Sequence, residues 1–82
     1  MTAREFQIAK KILDRLHALD GGQEHHLAVH AAIGGLNFCS GQDFDEVLTE
    51  LDRRRWIVGV KSESKGLLIS ISDLGESARR KL

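Results

Sequence analysis

The stretch Ser40-Gly-Gln-Asp-Phe-Asp-Glu-Val-Leu-Thr-Glu-Leu-Asp-Arg-Arg-Arg-Trp-Ile-Val-Gly-Val-Lys61 decides how this chain folds, because its hydrophobic pattern changes period partway along. From Ser40 to Arg55 the apolar residues Phe44, Val47, Leu48 and Leu51 recur at helical spacing and fall on one stripe. Gln42, Asp45, Glu46, Thr49, Glu50 and Arg53 fall on the other face. Ser40 is placed to cap the helix by accepting a backbone N–H from Asp43, and early acids suit the positive end of a helix. From Trp56 the residues become β-formers. Trp56–Lys61 and Leu67–Ser72 read as two strands, and Ser62-Glu-Ser-Lys-Gly66 between them has the composition of a hairpin loop.

Working outward, the N-terminal segment is a second clear helix. Thr2 and Glu5 form a capping box, and Phe6, Ala9, Ile12, Leu13, Leu16 and Leu19, with Ile8 at the margin, make an apolar face. Asp20-Gly21-Gly22-Gln23 ends it, with Gly21 expected in the left-handed position. A short helix then runs from about Glu24 or His26 to Ile33, with Leu27, Ala31 and either His30 or Ile33 expected inward. Gly34-Gly35 stops it. Leu36 and Phe38 are expected to tuck beneath the central helix. After the hairpin, Ser72 caps a last helix in which Leu74, Ala78 and Leu82 share a stripe that packs on the first helix or on a second copy. The expected core joins Phe44, Val47, Leu48 and Leu51 to Leu13, Leu16, Val58 and Ile69.

The order helix, helix, helix, hairpin, helix makes the chain an α+β protein. It resembles the winged-helix (winged helix-turn-helix) superfamily, with three helices, a two-stranded β-hairpin wing and a short C-terminal helix, and is similar to bacterial regulators of the MarR and PadR type. The resemblance spans about residues 2 to 82 and is carried by named residues. They are Phe44-x-x-x-Leu48-x-x-Leu51, then Trp56-Ile57, Lys65-Gly66 at the wing, and Ile71-Ser72-x-x-Gly75 closing it. It implies a non-catalytic, dimeric DNA-binding regulator whose third helix enters the major groove while the wing touches the backbone or minor groove. Carried over by position, it sets Gln42, Asp45, Glu46, Thr49 and Arg53 toward the groove and Lys61 and Lys65 on the wing; the residues expected to contact double-stranded DNA are Gln42, Thr49, Arg53, Arg54, Arg55, Lys61 and Lys65.

Charge argues on both sides. The 82 residues hold 12 Lys and Arg against 12 Asp and Glu, so no overall positive field draws the chain to nucleic acid. Asp43, Asp45, Glu46, Glu50 and Asp52 follow one another on the central helix without a base among them, and carboxylates near phosphates oppose binding. The alternative is therefore a protein-interaction module that offers Asp45, Glu46 and Glu50 to a basic partner. A mapped surface potential separates the two.

Other chemistry has weaker support. His26 and His30 have the spacing of two ligands on one helix face, with His17, His25 and Cys39 elsewhere, but no Cys-x-x-Cys or His-Glu-x-x-His run accompanies them. Neither a metal nor another cofactor is expected. Cys39 lacks a recognisable partner base and reads as a packed thiol. The glycine pairs follow no strand and are breakers; Trp56 has an ordinary role in packing, and the triple arginine has one at a helix C-terminus, although Arg53 points outward with the partner face. No segment nears the roughly 18 apolar residues of a membrane span, the N-terminus lacks a signal-peptide pattern, and the one cysteine has no partner. A cytoplasmic, single-domain protein covering residues 1–82 is the expectation.

Overall fold

The computed structural model describes residues 1–82. Helix α1 (Ala3–Ala18) is followed by β1 (Glu24–His25), α2 (His26–Ala32), a single 3-10 turn at Gly35–Asn37, and α3 (Gly41–Arg53). The hairpin β2 (Ile57–Ser62) and β3 (Gly66–Ile71) leads into α4 (Asp73–Lys81). The sheet is antiparallel in the order β1-β3-β2, so β3 is central. This is the α+β winged-helix architecture, with one strand more than the hairpin alone. Glu24 and His25 have little intrinsic β character. They are extended because they pair with Ile69 and Leu68 of β3.

The helix starts follow from their caps. Thr2 accepts from the Glu5 N–H at 3.1 Å while the Glu5 carboxylate accepts from the Thr2 N–H at 2.9 Å, completing the box. Ser40 accepts from Asp43 at 3.1 Å and starts α3 where expected. Helix α3 ends in a Schellman motif: Trp56 N–H reaches Leu51 O and Arg55 N–H reaches Asp52 O, both at 3.0 Å. The left-handed residue this requires is Arg55, at φ 61°. After α1, the left-handed turn takes in Asp20 as well as Gly21 (φ 50° and 84°), one residue earlier than the glycine suggested.

The core lies between α1, α3 and the inner face of the sheet. Ile8, Ala9, Ile12, Leu13 and Leu16 of α1 meet Phe44, Val47, Leu48 and Leu51 of α3, closed by Val29, Cys39, Ile57 and Ile69. Val58 is a correction to the expected core: it is 46% exposed, and Ile57 takes its place. The reason is register. Ile57 pairs with Ile71 and Gly59 with Ile69, so the odd-numbered residues of both strands share the inner face and Val58 points outward. On α1, Ile8 is fully buried and Phe6 only half so, which moves the stripe by a fraction of a turn.

Three other expectations are corrected. On α2 the inward residue is Val29, with His26, His30 and Ile33 half-buried beside it. Leu27 is 60% exposed and Ala31 is exposed. The pairing of β1 with β3 sets the rotation at which the chain enters that helix. Leu36 does not pass beneath α3 but is 82% exposed in the 3-10 turn, since left-handed Gly34 and Gly35 reverse the chain and bring Cys39 inward. Phe38 lies half-buried with the guanidinium of Arg4 4.5 Å above its ring.

On α4, Leu74 is exposed and the helix instead buries Gly75 and Ala78. Ser72 explains this choice: its Oγ accepts from Gly75 N–H at 3.0 Å and donates to Arg55 O at 2.6 Å, pressing the helix start onto the end of α3. Polar contacts then hold α4 along α1. Glu76 meets His17 Nδ1 at 2.9 Å, Arg79 meets Asp14 at 3.3 Å, and Lys10 donates to the Arg79 carbonyl at 3.2 Å.

Candidate nucleic-acid interface

Helix α3 and the wing together form one surface, because β2 leaves the Schellman turn at Arg55 and runs back beside the helix. Between them lies a groove of about 420 Å³. Its floor is Leu48, Ile57, Leu67 and Ile69, and its rim carries Thr49 and Asp52 from the helix and Lys61 from the strand. Gly59 faces it without a side chain, which keeps the middle open.

Around this groove the expected residues are unequally placed. Gln42 and Thr49 are exposed on α3, but each already has a local bond: Gln42 Nε2 donates to Glu46 Oε1 at 3.2 Å, and Thr49 Oγ1 donates to the Asp45 carbonyl at 2.9 Å. Lys61 on β2 and Lys65 in the wing turn are exposed and enter no ion pair. Arg55 is likewise exposed and unpaired.

Arg54 is turned back into the domain. Its Nε donates to Glu50 Oε1 at 2.8 Å and its guanidinium lies 5.1 Å from the Trp56 ring, so it cements the end of α3. Arg53 is 75% exposed at the side chain and also reaches Glu50. Glu50 therefore sits half-buried between two guanidinium groups. The hydrogen bonds from Arg54 and then Arg53 hold its carboxyl below the usual carboxylate range. Asp45 and Glu46 remain exposed and unpaired with any base.

Sequence reasoning did not single out Asp52 as a rim residue. The signal was present, since Asp52 follows Thr49 by three and so lies on the same side of the helix. The opening at Gly59 had no such signal, because it depends on how far the sheet stands from α3.

The other reactive side chains serve the fold. Burial pushes the Cys39 thiol up, away from the thiolate form a nucleophile needs. His30 Nε2 bonds to the Cys39 carbonyl at 2.9 Å and its ring rests on Phe44, 4.6 Å between centroids. No three His, Cys, Asp or Glu residues lie close enough to hold a metal ion, and no helix is long and apolar enough to cross a membrane. A second groove of about 510 Å³ runs beside α1, with Phe6, Phe38 and Leu82 along it and Lys10 and Lys11 at its edge.

No family model and no curated protein matches the sequence. Solved structures do match. The PcaV transcriptional regulator from Streptomyces coelicolor, in complex with its natural ligand, superposes on 100% of this chain with a TM-score of 0.72 and 23% identity. A second crystal structure of the same regulator superposes on 90% of the chain with the same TM-score and 22% identity. In both, the matched region is 52% of the regulator's chain, so the present chain spans about half its length. At this identity the likeness is one of architecture, and the chain has the winged-helix fold found in that half of the PcaV regulator.

Proposed function

We propose that this chain is a non-catalytic winged-helix DNA-binding domain of a transcriptional regulator, acting in the cytoplasm as one unit over residues 1–82 and pairing with a second copy on double-stranded DNA. The observation that carries this reading is the superposition of the whole chain on about half of a transcriptional regulator. The charge pattern adds a division of labour. Lys61, Lys65 and Arg55 have no internal partner and serve as phosphate contacts. Gln42, Thr49 and Arg53 approach bases with the donors and acceptors that their local bonds leave free. Arg54 supports the others from within.

Arg55 holds a left-handed backbone conformation. A left-handed C′ residue is usually glycine, and an arginine there costs about 1 kcal/mol. It is retained at a corner beside the wing, where its charge faces solvent.

A specific observation favours a second reading. Asp43, Asp45, Glu46 and Asp52 are all exposed on α3, and none forms an ion pair within the chain. Such a face suits a basic protein partner, with Glu50 contributing from its half-buried place.

One experiment separates the two. Fluorescence anisotropy with a random-sequence duplex at about 50 mM salt should show binding that weakens with salt. For about four phosphate contacts, the slope of log affinity on log salt is about −3.6. Lys61→Ala, Lys65→Ala or Arg55→Ala should each flatten it by about 0.9. Asp45→Asn with Glu46→Gln should strengthen duplex binding. No binding by the parent and none gained by that double variant removes the DNA reading. Loss of a basic protein ligand in the same variant would establish the alternative.

A further inference from the structure

His25 stands where the helical part of the fold meets the wing. It pairs with Leu68 of β3 and immediately precedes α2, whose Leu27 N–H donates to its Nδ1 at 3.2 Å. Histidine here does the work normally done by Ser, Thr, Asp or Asn. The far side of the ring closes on the wing: Nε2 lies so near Gly66 that a Cβ there would stand 2.8 Å away. The ring also lies against His26, with centroids 4.6 Å apart, and His26 Nδ1 is buried with no hydrogen-bond partner.

An imidazole nitrogen accepts a hydrogen bond only while it carries no proton. The bond from Leu27 therefore exists only for a neutral His25 ring with its hydrogen on Nε2. A proton added at Nδ1 sets N–H against N–H and removes the cap. The resulting cation has no carboxylate waiting for it. Glu24, its neighbour on β1, is held by Arg15 of α1 at 2.7 and 2.9 Å. Helix α2 presents His26, whose tilted neighbouring ring supplies no negative charge. The wing turn beside Gly66 carries Glu63 and Lys65, one charge of each sign, while Leu68 and its partner Val60 carry none.

We infer that His25 is a proton-operated joint between α2 and the wing. Neutral, it caps the helix while β1 holds β3. Protonated, it releases the first turn of α2 and loosens the two-residue strand, which has only this short pairing to keep it in place. Imidazole is the side chain whose ordinary chemistry exchanges a proton between pH 5 and 8. The inference goes beyond DNA binding and does not depend on it.

Nuclear magnetic resonance of the ¹⁵N-labelled chain between pH 8 and pH 5 tests this directly. The His25 ring nitrogens report tautomer and protonation, and the Leu27 amide reports the cap. The Leu27 amide shift should move in step with the His25 ring, and its exchange, corrected for the intrinsic pH effect, should quicken roughly five-fold. In His25→Asn the side-chain oxygen accepts at every pH, so both responses should vanish. His17→Gln, which changes the separate contact with Glu76, should leave them intact.

A Leu27 amide indifferent to His25 protonation overturns the inference, as does an undiminished response in His25→Asn. Should that variant not fold, the coincidence of ring and amide titrations in the parent still decides.

Discussion

Gly75 is the point at which a single methyl group should do most damage. A Cβ there would lie 2.0 Å from the Trp56 carbonyl oxygen, 2.9 Å from its carbon and 2.8 Å from Ile71 Cγ1. Non-bonded heavy atoms settle near 3.5 Å, so α4 would have to retreat by more than about 1 Å. That retreat opens the bonds that hold the helix start: Ser72 N–H to Trp56 O at 3.1 Å and Ser72 Oγ to Arg55 O at 2.6 Å.

Two such bonds contribute about 1 kcal/mol each, and overpacking adds about 1–3 kcal/mol. Gly75→Ala should therefore cost about 3–5 kcal/mol. A domain of this size holds only about 4–12 kcal/mol in all, at about 0.05–0.15 kcal/mol per residue. Urea denaturation followed by the fluorescence of Trp56, the one tryptophan, measures the effect at the place where it arises. Gly41→Ala is the control, since a Cβ there meets nothing within 4 Å. It should be neutral or stabilising by up to about 1 kcal/mol. A Gly75→Ala midpoint equal to the parent's would refute the close approach of α4 to the Trp56 carbonyl.

Leu48→Ala removes a side chain 7% exposed at the base of the groove, and its cost in the same assay should be about 2–5 kcal/mol. Arg55→Gly relieves a left-handed arginine and should raise stability by about 1 kcal/mol while weakening duplex binding, so that the two quantities move in opposite directions. A fall in both would separate Arg55 from the role proposed for it.

Stability should also fall in acid. Glu24 is held below the usual carboxylate range by its hydrogen bonds to Arg15, Glu50 by Arg54 and Arg53, and Glu76 by His17 and then Arg79. Carboxyl groups depressed in the folded state stabilise it above their ordinary range. They lose that contribution as pH falls through the folded values, because the unfolded chain then binds more protons. Denaturation midpoints should therefore decline below about pH 4.5. Glu24→Gln should start lower and decline less.

Much of this architecture is legible in the order of residues because the signals are local. A Thr-x-x-Glu box, a Ser before an amphipathic run, and a change from helical to β-forming residues at Trp56 each act within a few positions, and each element formed where its signal lies. The resemblance to winged helices rested on the same kind of signal. Its Ser72-x-x-Gly75 pattern has a local part, the cap from Gly75 to Ser72, and a part that only the folded chain reveals, the carbonyl of Trp56 against Gly75.

What the tertiary structure alone decided is the phase and employment of side chains. Val58 and Ile57 are equally apolar, and which one faces the core depends on the pairing of Ile57 with Ile71. Strand β1 exists because β3 is there to accept it, and that pairing turns α2 so that Val29, not Leu27, is buried. The candidate interface shows the same division. Periodicity placed Glu50 and Arg53 on the outward face of α3, whereas Arg54, brought back by the end of the helix, joins Arg53 around Glu50, and Arg55, Lys61 and Lys65 are left without an ion pair. Helical and strand periods set which residues are near one another along the chain. Which charge meets which partner depends on distances across the fold, and those follow from packing three layers at once.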